Sequence, residues 1–264
     1  MRIAKFNTEQ NKFARYGIVE DDSITPIEGD IFGEWKKNSY SLALNDVMLL
    51  APIDPVNIVA LGFNYKEHAK ESKDKVPQQP AFFLKSTSAL NHPLSNIIIP
   101  AMAPDNVDYE AELAIVIAKE AKNISEKEAK DHILGYTCAN DVSARDCQFS
   151  DPQWTRGKSF DTFAPLGPWV ETEIENPDNL KIQSRLNGKI MQDANTSMFV
   201  FNIEKIVSYL SHCMTLLPGT VILTGTPAGC GFARKPPVFL KEGDTIEIEI
   251  EKIGILKNTV VKES

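Results

Sequence analysis

Two glutamates separated by one residue are the first feature of this sequence that could do chemistry. Glu110 and Glu112 lie in the run 108–118, whose apolar residues are typical of a strand. Side chains two apart on a strand share a face, about 7 Å from each other along the chain. Two such carboxylates repel, and a divalent cation between them removes that penalty. The alternative is a solvent-exposed strand face, although Ala114 and Val116 continue the same face. These residues alone leave both interpretations open.

A third carboxylate follows the next strand-like run. Asp141 comes directly after residues 133–140, at the kind of strand end where ligands are commonly found. With the two glutamates it makes an oxygen-only donor set, which suits Mg²⁺, Mn²⁺ or Ca²⁺ rather than zinc or copper. Mg²⁺ usually keeps several waters, so positions stay open for a substrate. Shortly afterwards, Arg145 and Asp146 could simply pair with each other.

One histidine has an acidic neighbour at helical spacing. His68 and Glu71 are three residues apart, so on a helix their side chains share a face. A carboxylate beside an imidazole orients the ring and raises its basicity, which is what a general base needs. These two residues alone favour the alternative, a surface pair without a role. The other histidines, His92, His132 and His212, have no such partner and are predicted to be structural.

Two further segments carry weaker signals. Lys158 stands in a polar stretch, and a lone lysine is ordinarily a solvated charge. The loop 224–231 follows a predicted strand, but it lacks the Gly-Lys-Ser/Thr ending of a nucleotide-binding loop and the spacing of a dinucleotide fingerprint. Its backbone amides and the Thr226 hydroxyl could hold a small carboxylate; otherwise the loop is a tight turn.

Most of these residues lie on or beside predicted strands. Residues 1–50 are predicted to form a small β-rich unit, and the stretch 49–55, with two prolines, marks a boundary before a second unit over 51–264. Many strands and few helices predict an α+β, mostly β fold. The particular predictions are a helix over 65–71 with Asn64 as N-cap, strands over 109–118 and 133–140, a helix over 125–132 with Ser125 and Glu128 as a capping box, a polar loop over 146–158, a hairpin turn at Asn187-Gly188 and a helix over 201–210.

Composition excludes several classes of protein. The chain has 264 residues, 42% hydrophobic and 24% charged, which is ordinary for a globular protein. Its 28 basic and 36 acidic residues give a net charge of −8, which argues against sequence-independent binding to nucleic acid or to an anionic membrane surface. No apolar stretch approaches the roughly 20 residues of a membrane span, and no early segment is typical of a signal peptide. Four cysteines without a Cys-x-x-Cys pair are predicted to be free thiols in a reducing cytosol.

The order of the motifs is more specific than any one of them. In this sequence they are Gly62-x-Asn64-Tyr65-x-x-His68-Ala69-x-Glu71, Asp108-Tyr109-Glu110-x-Glu112-Leu113, Asn140-Asp141-Val142-Ser143-Ala144-Arg145-Asp146-x-Gln148, Lys158-Ser159-Phe160-Asp161, Pro218-Gly219 and Leu223-Thr224-Gly225-Thr226-Pro227-x-Gly229. As a set they resemble the fumarylacetoacetate hydrolase family. The resemblance covers about residue 56 to the C-terminus, and the first 50 residues resemble the small, variable N-terminal domain of the family's bacterial members.

The resemblance implies a fold and a site. The fold would be the family's mixed β-sandwich roll, usually a homodimer. By this resemblance Glu110, Glu112 and Asp141 fall on the Mg²⁺ or Mn²⁺ ligands, His68 and Glu71 on a catalytic dyad carried by a lid, Lys158 on a lysine near the metal, and Gln148, Thr226 and Arg145 on substrate-binding positions. Cys230 departs from the pattern, because an aliphatic residue is common there.

The expected function is that of a cytoplasmic, divalent-metal-dependent hydrolase. It would cleave a carbon–carbon bond of an acylpyruvate-type 2-oxo acid through a metal-stabilised enolate. Two other reactions need the same site, namely decarboxylation of oxaloacetate and isomerisation of a hydroxymuconate-type dienoate, and they rank second and third. A non-catalytic, metal-dependent carboxylate-binding protein is the alternative of another class, although binding alone needs no base. The sequence leaves the particular 2-oxo acid open.

Overall fold

Strands make up most of the secondary structure, as predicted. The computed structural model describes residues 1–263. Its strands, in chain order, are β1 (Arg2–Asn7), β2 (Arg15–Glu20), β3 (Ser23–Gly29), β4 (Trp35–Lys37), β5 (Leu42–Ala43), β6 (Met48–Leu50), β7 (Ile58–Gly62), β8 (Ala81–Lys85), β9 (Leu90–Asn91), β10 (Asn96–Ile99), β11 (Val107–Asp108), β12 (Ala111–Ile117), β13 (Ile133–Asn140), β14 (Ser143–Ala144), β15 (Ala164–Glu171), β16 (Lys181–Leu186), β17 (Lys189–Asn195), β18 (Val221–Leu223), β19 (Thr245–Ile250) and β20 (Gly254–Lys262).

Helices are short and lie between the strands. The α-helices are α1 (Lys66–Glu71), α2 (Arg145–Ser150), α3 (Thr155–Lys158) and α4 (Ile203–Cys213). Single turns or short runs of 3₁₀-helix cover Leu44–Asp46, Thr87–Ala89, Glu126–His132, Thr196–Met198 and Gly231–Ala233. No helix within residues 1–263 is long and apolar enough to cross a membrane.

The large sheet is curved. Its main path runs β4-β3-β2-β1-β15-β13-β12-β18-β7-β8. Four strand spacings separate β13 from β8, about 19 Å in a flat sheet at roughly 4.8 Å each. Lys85 at the end of β8 nevertheless reaches Asp141, the residue after β13, and donates to the Phe163 carbonyl at 2.8 Å. The sheet must therefore curl, which brings its edge strand back to its centre.

A second sheet closes the sandwich. It has five strands in the order β10-β20-β19-β16-β17, and it packs on the central strands β12, β13 and β15. Strand β19 shows why: its isoleucines alternate with polar residues, and Ile246, Ile248 and Ile250 are the buried ones. The mostly β fold predicted from the sequence is confirmed.

Several local predictions were wrong in detail. Asn64 does not cap α1, which begins after Tyr65 without a side-chain cap; the Asn64 side chain is drawn instead into the core. The stretch predicted as a polar loop, 146–158, is largely helical, because α2 covers it up to Ser150 and α3 covers Thr155–Lys158. Helix α4 begins two residues later than predicted, because the Asn202 side chain accepts from the Lys205 amide and caps it there. The capping box of Ser125 and the hairpin turn at 187–188 are confirmed.

The N-terminal segment joins the large sheet directly. Strand β1 pairs antiparallel with β15, with Arg2 opposite Glu171 and Ile3 opposite Val170. Ile3 is also part of the main hydrophobic cluster that contains the central strands. The backbone ladder therefore continues across the proposed domain boundary at residue 50.

Candidate active site

Three buried carboxylates meet where β12 begins and β13 ends. The two strands are antiparallel, with Ala111 opposite Asn140, so Glu110 and Glu112 lie beside Asp141 although 29 residues or more separate them along the chain. One oxygen from each lies within 4.8 Å of the others, and each residue is no more than 4% exposed. The pairing of these strands, rather than either strand alone, creates the group, which we call the carboxylate trio.

Two lysines approach the carboxylate trio. Lys158 Nζ donates to Glu110 Oε2 and to Asp141 Oδ2, each at 2.7 Å, so it is not the solvated charge that a lone lysine suggests. Burial by itself lowers the pKa of Lys158, but Asp141 and Glu110 outweigh it, so the pKa is raised and the amine stays charged. Lys85 contacts the other oxygen of Asp141. Asp141 is therefore held from two sides.

Arg145 is the third cation of the site. It does not pair with Asp146, its neighbour in sequence. Its guanidinium lies 2.7 Å from Glu110 Oε1 and 2.9 Å from Asp108 Oδ2. The predicted ion pair between Arg145 and Asp146 was wrong, because Asp146 accepts a hydrogen bond from Asn106 outside the site. Arg145 also donates to Gln148 Oε1 at 2.7 Å, one helical turn along α2. The arginine thus ties α2 to the carboxylates.

Glu112 has no such cation. In the part of the chain that the structure describes, no basic group forms an ion pair with it, and its hydrogen bond comes from the Gly225 amide at 2.6 Å. Burial raises the pKa of Glu112 well above its ordinary value, and Asp141 and Glu110 raise it further.

The residue that donates to Glu112 must be glycine. The φ of Gly225 is +94°, and a Cβ there would lie 2.8 Å from the Asn64 Cβ.

The donor set fits a hard divalent cation. Three buried carboxylates supply oxygen ligands only, which Mg²⁺, Mn²⁺ and Ca²⁺ prefer. The buried acids here are four, Asp108 and the carboxylate trio, against the three cations Lys85, Lys158 and Arg145. The carboxyl left without a cation is Glu112, where burial and the charges of Asp141 and Glu110 raise the pKa and so favour the neutral form. The chemistry of the residues therefore agrees with a metal site.

His68 is buried and Glu71 is half-buried, so they do not form the surface pair that the sequence alone favours. Helix α1 carries both, and His68 Nδ1 lies 2.9 Å from Glu71 Oε1. The other carboxylate oxygen of Glu71 accepts from the Gly229 amide at 2.9 Å. His68 is 7% exposed. Because a carboxylate only accepts, Nδ1 carries the proton in the neutral ring and Nε2 is left as the basic nitrogen.

A small cavity joins the histidine to the cations. Its volume is about 130 Å³, and its wall includes six of the nine predicted site residues, which are His68, Glu110, Arg145, Gln148, Lys158 and Thr226. Glu71, Glu112 and Asp141 lie behind this wall. Aromatic rings complete it, and they are Phe63, Phe83, Phe149, Trp154 and Phe232. The cavity is thus charged on one side and apolar on the other.

Sequence reasoning missed four residues that hold the site. Lys85 is the last residue of the apolar strand β8, and a single lysine at a strand end gave no signal. Asp108 accepts from the Gly231 and Phe232 amides at 2.8 and 3.1 Å and pairs with Arg145. Gln192 accepts from the Ala111 amide at 2.9 Å and donates to Thr226 Oγ1 at 2.7 Å. The fourth is Asn64, and of the four only Asp108 and Asn64 stood within the quoted motifs.

Known proteins share both the sequence and the fold. Residues 57–261 match the family described as fumarylacetoacetate (FAA) hydrolase C-terminal, and residues 1–52 match the one described as Rv2993c-like, N-terminal. The chain is 47% identical over 229 residues to a protein of Xenopus laevis named as a mitochondrial oxaloacetate tautomerase, covering 85% of this chain and 72% of that protein.

Two solved structures agree along the whole chain. A 2-hydroxyhepta-2,4-diene-1,7-dioate isomerase from Mycobacterium marinum has a TM-score of 0.88 at 41% identity, covering 100% of this chain and 99% of that one. A fumarylacetoacetate hydrolase from the psychrophile Exiguobacterium antarcticum has a TM-score of 0.90 at 34% identity, covering 100% of both. Because the family match and these likenesses extend over most of the sequence, the chain belongs to the fumarylacetoacetate hydrolase family, as its motifs predict.

Proposed function

We propose that the protein catalyses enolisation of a small 2-oxo acid, with keto–enol tautomerisation of an oxaloacetate-like dicarboxylate as the first candidate reaction. The relative in Xenopus laevis named as an oxaloacetate tautomerase supports this choice. So does the cavity, because about 130 Å³ is well below the roughly 300–1,000 Å³ of pockets for larger ligands. A short diacid suits that volume better than a long acyl chain does.

The observation that carries the proposal is the buried base facing the cavity. Glu71 fixes the proton of His68 on Nδ1, and Nε2 is therefore free to take a proton from the carbon beside the 2-oxo group. The electron pair of the broken carbon–hydrogen bond forms the enol double bond, and the protonated Nε2 then gives its proton to the 2-oxo oxygen. The proton thus moves from carbon to oxygen, and the base is regenerated. The Gly229 amide holds Glu71 in place, so the ring has one orientation.

The cations bind and orient the substrate. Lys158 stays protonated and lines the cavity, so it acts as a charge clamp for the developing enolate oxygen rather than as a base. The side-chain carbonyl oxygen of Gln148 accepts from Arg145, which leaves the Gln148 amide N–H groups as donors for a carboxylate. The Thr226 hydroxyl lines the same cavity.

Glu110, Glu112 and Asp141 would hold Mg²⁺ or Mn²⁺, with Ca²⁺ accepted by the same donors. When bound, the ion would supply Lewis acidity and positive charge to the 2-oxo acid end of the substrate. The charge of the ion would also favour the ionised form of Glu112, which burial and the neighbouring carboxylates otherwise disfavour.

Hydrolysis of an acylpyruvate is the second candidate. It needs the same base acting on water, and the likeness to the fumarylacetoacetate hydrolase of Exiguobacterium antarcticum favours it. Decarboxylation and double-bond isomerisation use the same residues, and the isomerase of Mycobacterium marinum is a relative of that kind. A panel of 2-oxo acids with identification of each product distinguishes the four reactions.

The test is the loss of enol absorbance from oxaloacetate with Mg²⁺ present. We expect His68→Gln to lower kcat by about 10²–10⁴-fold with substrate binding retained, the usual range for a general base. His212→Gln is the matched control, because His212 is exposed on α4. Equal rates in the wild type and His68→Gln would refute the proposal. Release of pyruvate from acetylpyruvate, without tautomerisation of oxaloacetate, would establish the second candidate instead.

A further inference from the structure

A second group of metal-ligating side chains lies against the base. Cys230 Sγ is 3.7 Å from His68 Nδ1, the nitrogen that also contacts Glu71 at 2.9 Å. Ligand atoms of all three side chains lie within 4.8 Å of one another. Cys230 is fully buried, so its thiol faces this pair rather than solvent. The mechanism proposed above does not use this thiol.

The spacing agrees with that of ligands on one zinc ion. Zn–S and Zn–N bonds of about 2.3 and 2.0–2.1 Å in a tetrahedron place sulfur and nitrogen about 3.5 Å apart. The observed 3.7 Å between Cys230 Sγ and His68 Nδ1 is close to this value. The 2.9 Å between His68 Nδ1 and Glu71 Oε1 would open by a few tenths of an ångström. The third pair, Cys230 Sγ and a Glu71 carboxylate oxygen, lies within 4.8 Å and would close to about 3.5 Å on the same ion.

Neighbouring groups hold the three donors in place. The Gly229 amide fixes the second oxygen of Glu71 at 2.9 Å, and Gln192 Nε2 lies 3.8 Å from Cys230 Sγ. Such hydrogen bonds around a metal site orient the ligands and support affinity. Helix α1 carries His68 and Glu71 on one face, and Cys230 from the loop after β18 completes the three donors.

We propose that Cys230, His68 and Glu71 bind Zn²⁺ as an inhibitory site beside the catalytic cavity. Sulfur, nitrogen and one oxygen are the ligands of zinc, whereas the carboxylate trio offers only oxygen and suits Mg²⁺. The two sites thus select different ions.

Zinc bound to these three side chains would inhibit the enzyme by occupying its base. Burial and the charges of Glu110 and Asp108 raise the pKa of the Cys230 thiol, so the thiol is protonated and releases that proton to solvent when Sγ binds the ion. His68 Nδ1 becomes a ligand, and its proton moves to Nε2. The nitrogen that served as the base then carries a proton. The inhibition, though not the binding, rests on the role proposed for His68.

The test uses Co²⁺ as a spectroscopic substitute for zinc. Co²⁺ is titrated into the full chain in excess Mg²⁺, which occupies the carboxylate trio. We expect a thiolate-to-cobalt charge-transfer band that reaches its limit near one equivalent and disappears on addition of Zn²⁺. The band should be lost in Cys230→Val and kept in Cys213→Val, whose thiol is exposed on α4. Should Cys230→Val fail to fold, Cys230→Ser gives the same comparison.

Activity gives a separate measurement. With saturating Mg²⁺, the Zn²⁺ concentration for half inhibition should rise at least tenfold in Cys230→Val and stay unchanged in Cys213→Val. No charge-transfer band in the wild type, or an equal band in Cys230→Val, would overturn the proposed site whatever the reaction proves to be. A Cys230-dependent band with equal zinc sensitivity in both variants would overturn the inhibitory role. Because the band needs no turnover, its outcome is independent of the proposed function.

Discussion

At the scale of residues, the candidate site depends on matching buried charges. Asp141 accepts from Lys158 on one oxygen and from Lys85 on the other, and both lysines are almost completely buried. Removing one member of such a group leaves a buried charge without its partner, which costs far more than a surface pair contributes. Glu112, which lacks a cation among the described residues, is the opposite case. Substitutions that alter the charge around Asp141 and around Glu112 should therefore change stability in different ways.

Lys85→Met should destabilise the protein by about 3–5 kcal/mol, the usual cost of breaking a buried ion pair. The substitution leaves Asp141 and the Phe163 carbonyl without their donor. Urea unfolding followed by circular dichroism measures the change. Lys37→Met is the control, because Lys37 pairs with Glu20 at the surface, and such pairs contribute less than about 1 kcal/mol. Equal losses in both variants would show that Lys85 is not a buried partner of Asp141.

Glu112 should make the metal-free protein less stable as the pH rises. Its pKa in the folded protein is raised above the ordinary 4.5, so the folded state holds a proton that the unfolded chain releases. The contribution of Glu112 to stability is therefore complete below about pH 4.5 and is lost as the pH rises through the raised pKa. Glu112→Gln should not show this decline.

The measurement is the free energy of unfolding against pH in EDTA for both proteins. Burial raises the pKa of Glu110, but Lys158 and Arg145 outweigh it, so the pKa is lowered. The contribution of Glu110 to stability is therefore present above its ordinary pKa of 4.5 and is lost as the pH falls below it. It is common to both proteins, so the difference between them isolates Glu112. Parallel curves from pH 4.5 to 8 would refute the assignment.

At the scale of elements, one asparagine joins three segments. Asn64 lies between β7 and α1, and its side chain accepts from the Phe201 amide at 2.8 Å and donates to the Thr224 and Phe201 carbonyls at 2.8 and 3.1 Å. It therefore connects the start of the helix that carries His68 to the loop after β18 and to the segment before α4. The position of the base depends on these hydrogen bonds.

Asn64→Ala should destabilise the protein by about 2–4 kcal/mol, because three buried backbone groups, two of Phe201 and one of Thr224, lose their partner. Activity should also fall, since α1 is no longer tied to the loop that carries Thr226. Thermal unfolding and kcat measure the two effects. Asn202→Ala is the control, because it removes only a helix cap, worth about 1 kcal/mol, and lies away from the cavity. An Asn64→Ala protein as stable as this control would contradict the argument.

At the scale of the whole molecule, the metal site proposed at the carboxylate trio would link ion binding to folding. Its members come from the start of β12 and the residue after β13, and these strands are paired only in the folded protein. A ligand that binds the folded state alone stabilises it in proportion to the logarithm of its concentration. The homodimer that the resemblance implies stays a prediction, which analytical ultracentrifugation checks.

Mg²⁺ at 100 times its dissociation constant should therefore stabilise the protein by about 2.7 kcal/mol, and EDTA should reverse the effect. Differential scanning calorimetry measures the rise in Tm. Glu110→Gln should show a much smaller rise, because one ligand has lost its charge. Calcium and manganese titrations rank the ions that the site accepts. A Tm that does not respond to any of the three ions would refute the metal site.

Alternation and motif order are local properties of the chain, so the sequence was enough to predict the mostly β fold and, through its resemblance to the family, to propose nine site residues. Thus β13 ends at Asn140 and α1 carries His68 with Glu71, as their patterns predict. Tertiary structure alone decided which charges meet. Lys85 reaches Asp141 only because the large sheet curls, and Arg145 pairs with Asp108 and Glu110 rather than with its neighbour Asp146. Burial removed the water that would otherwise have screened each charge, and the partner then depended on which strands lie together rather than on which residues are adjacent in sequence.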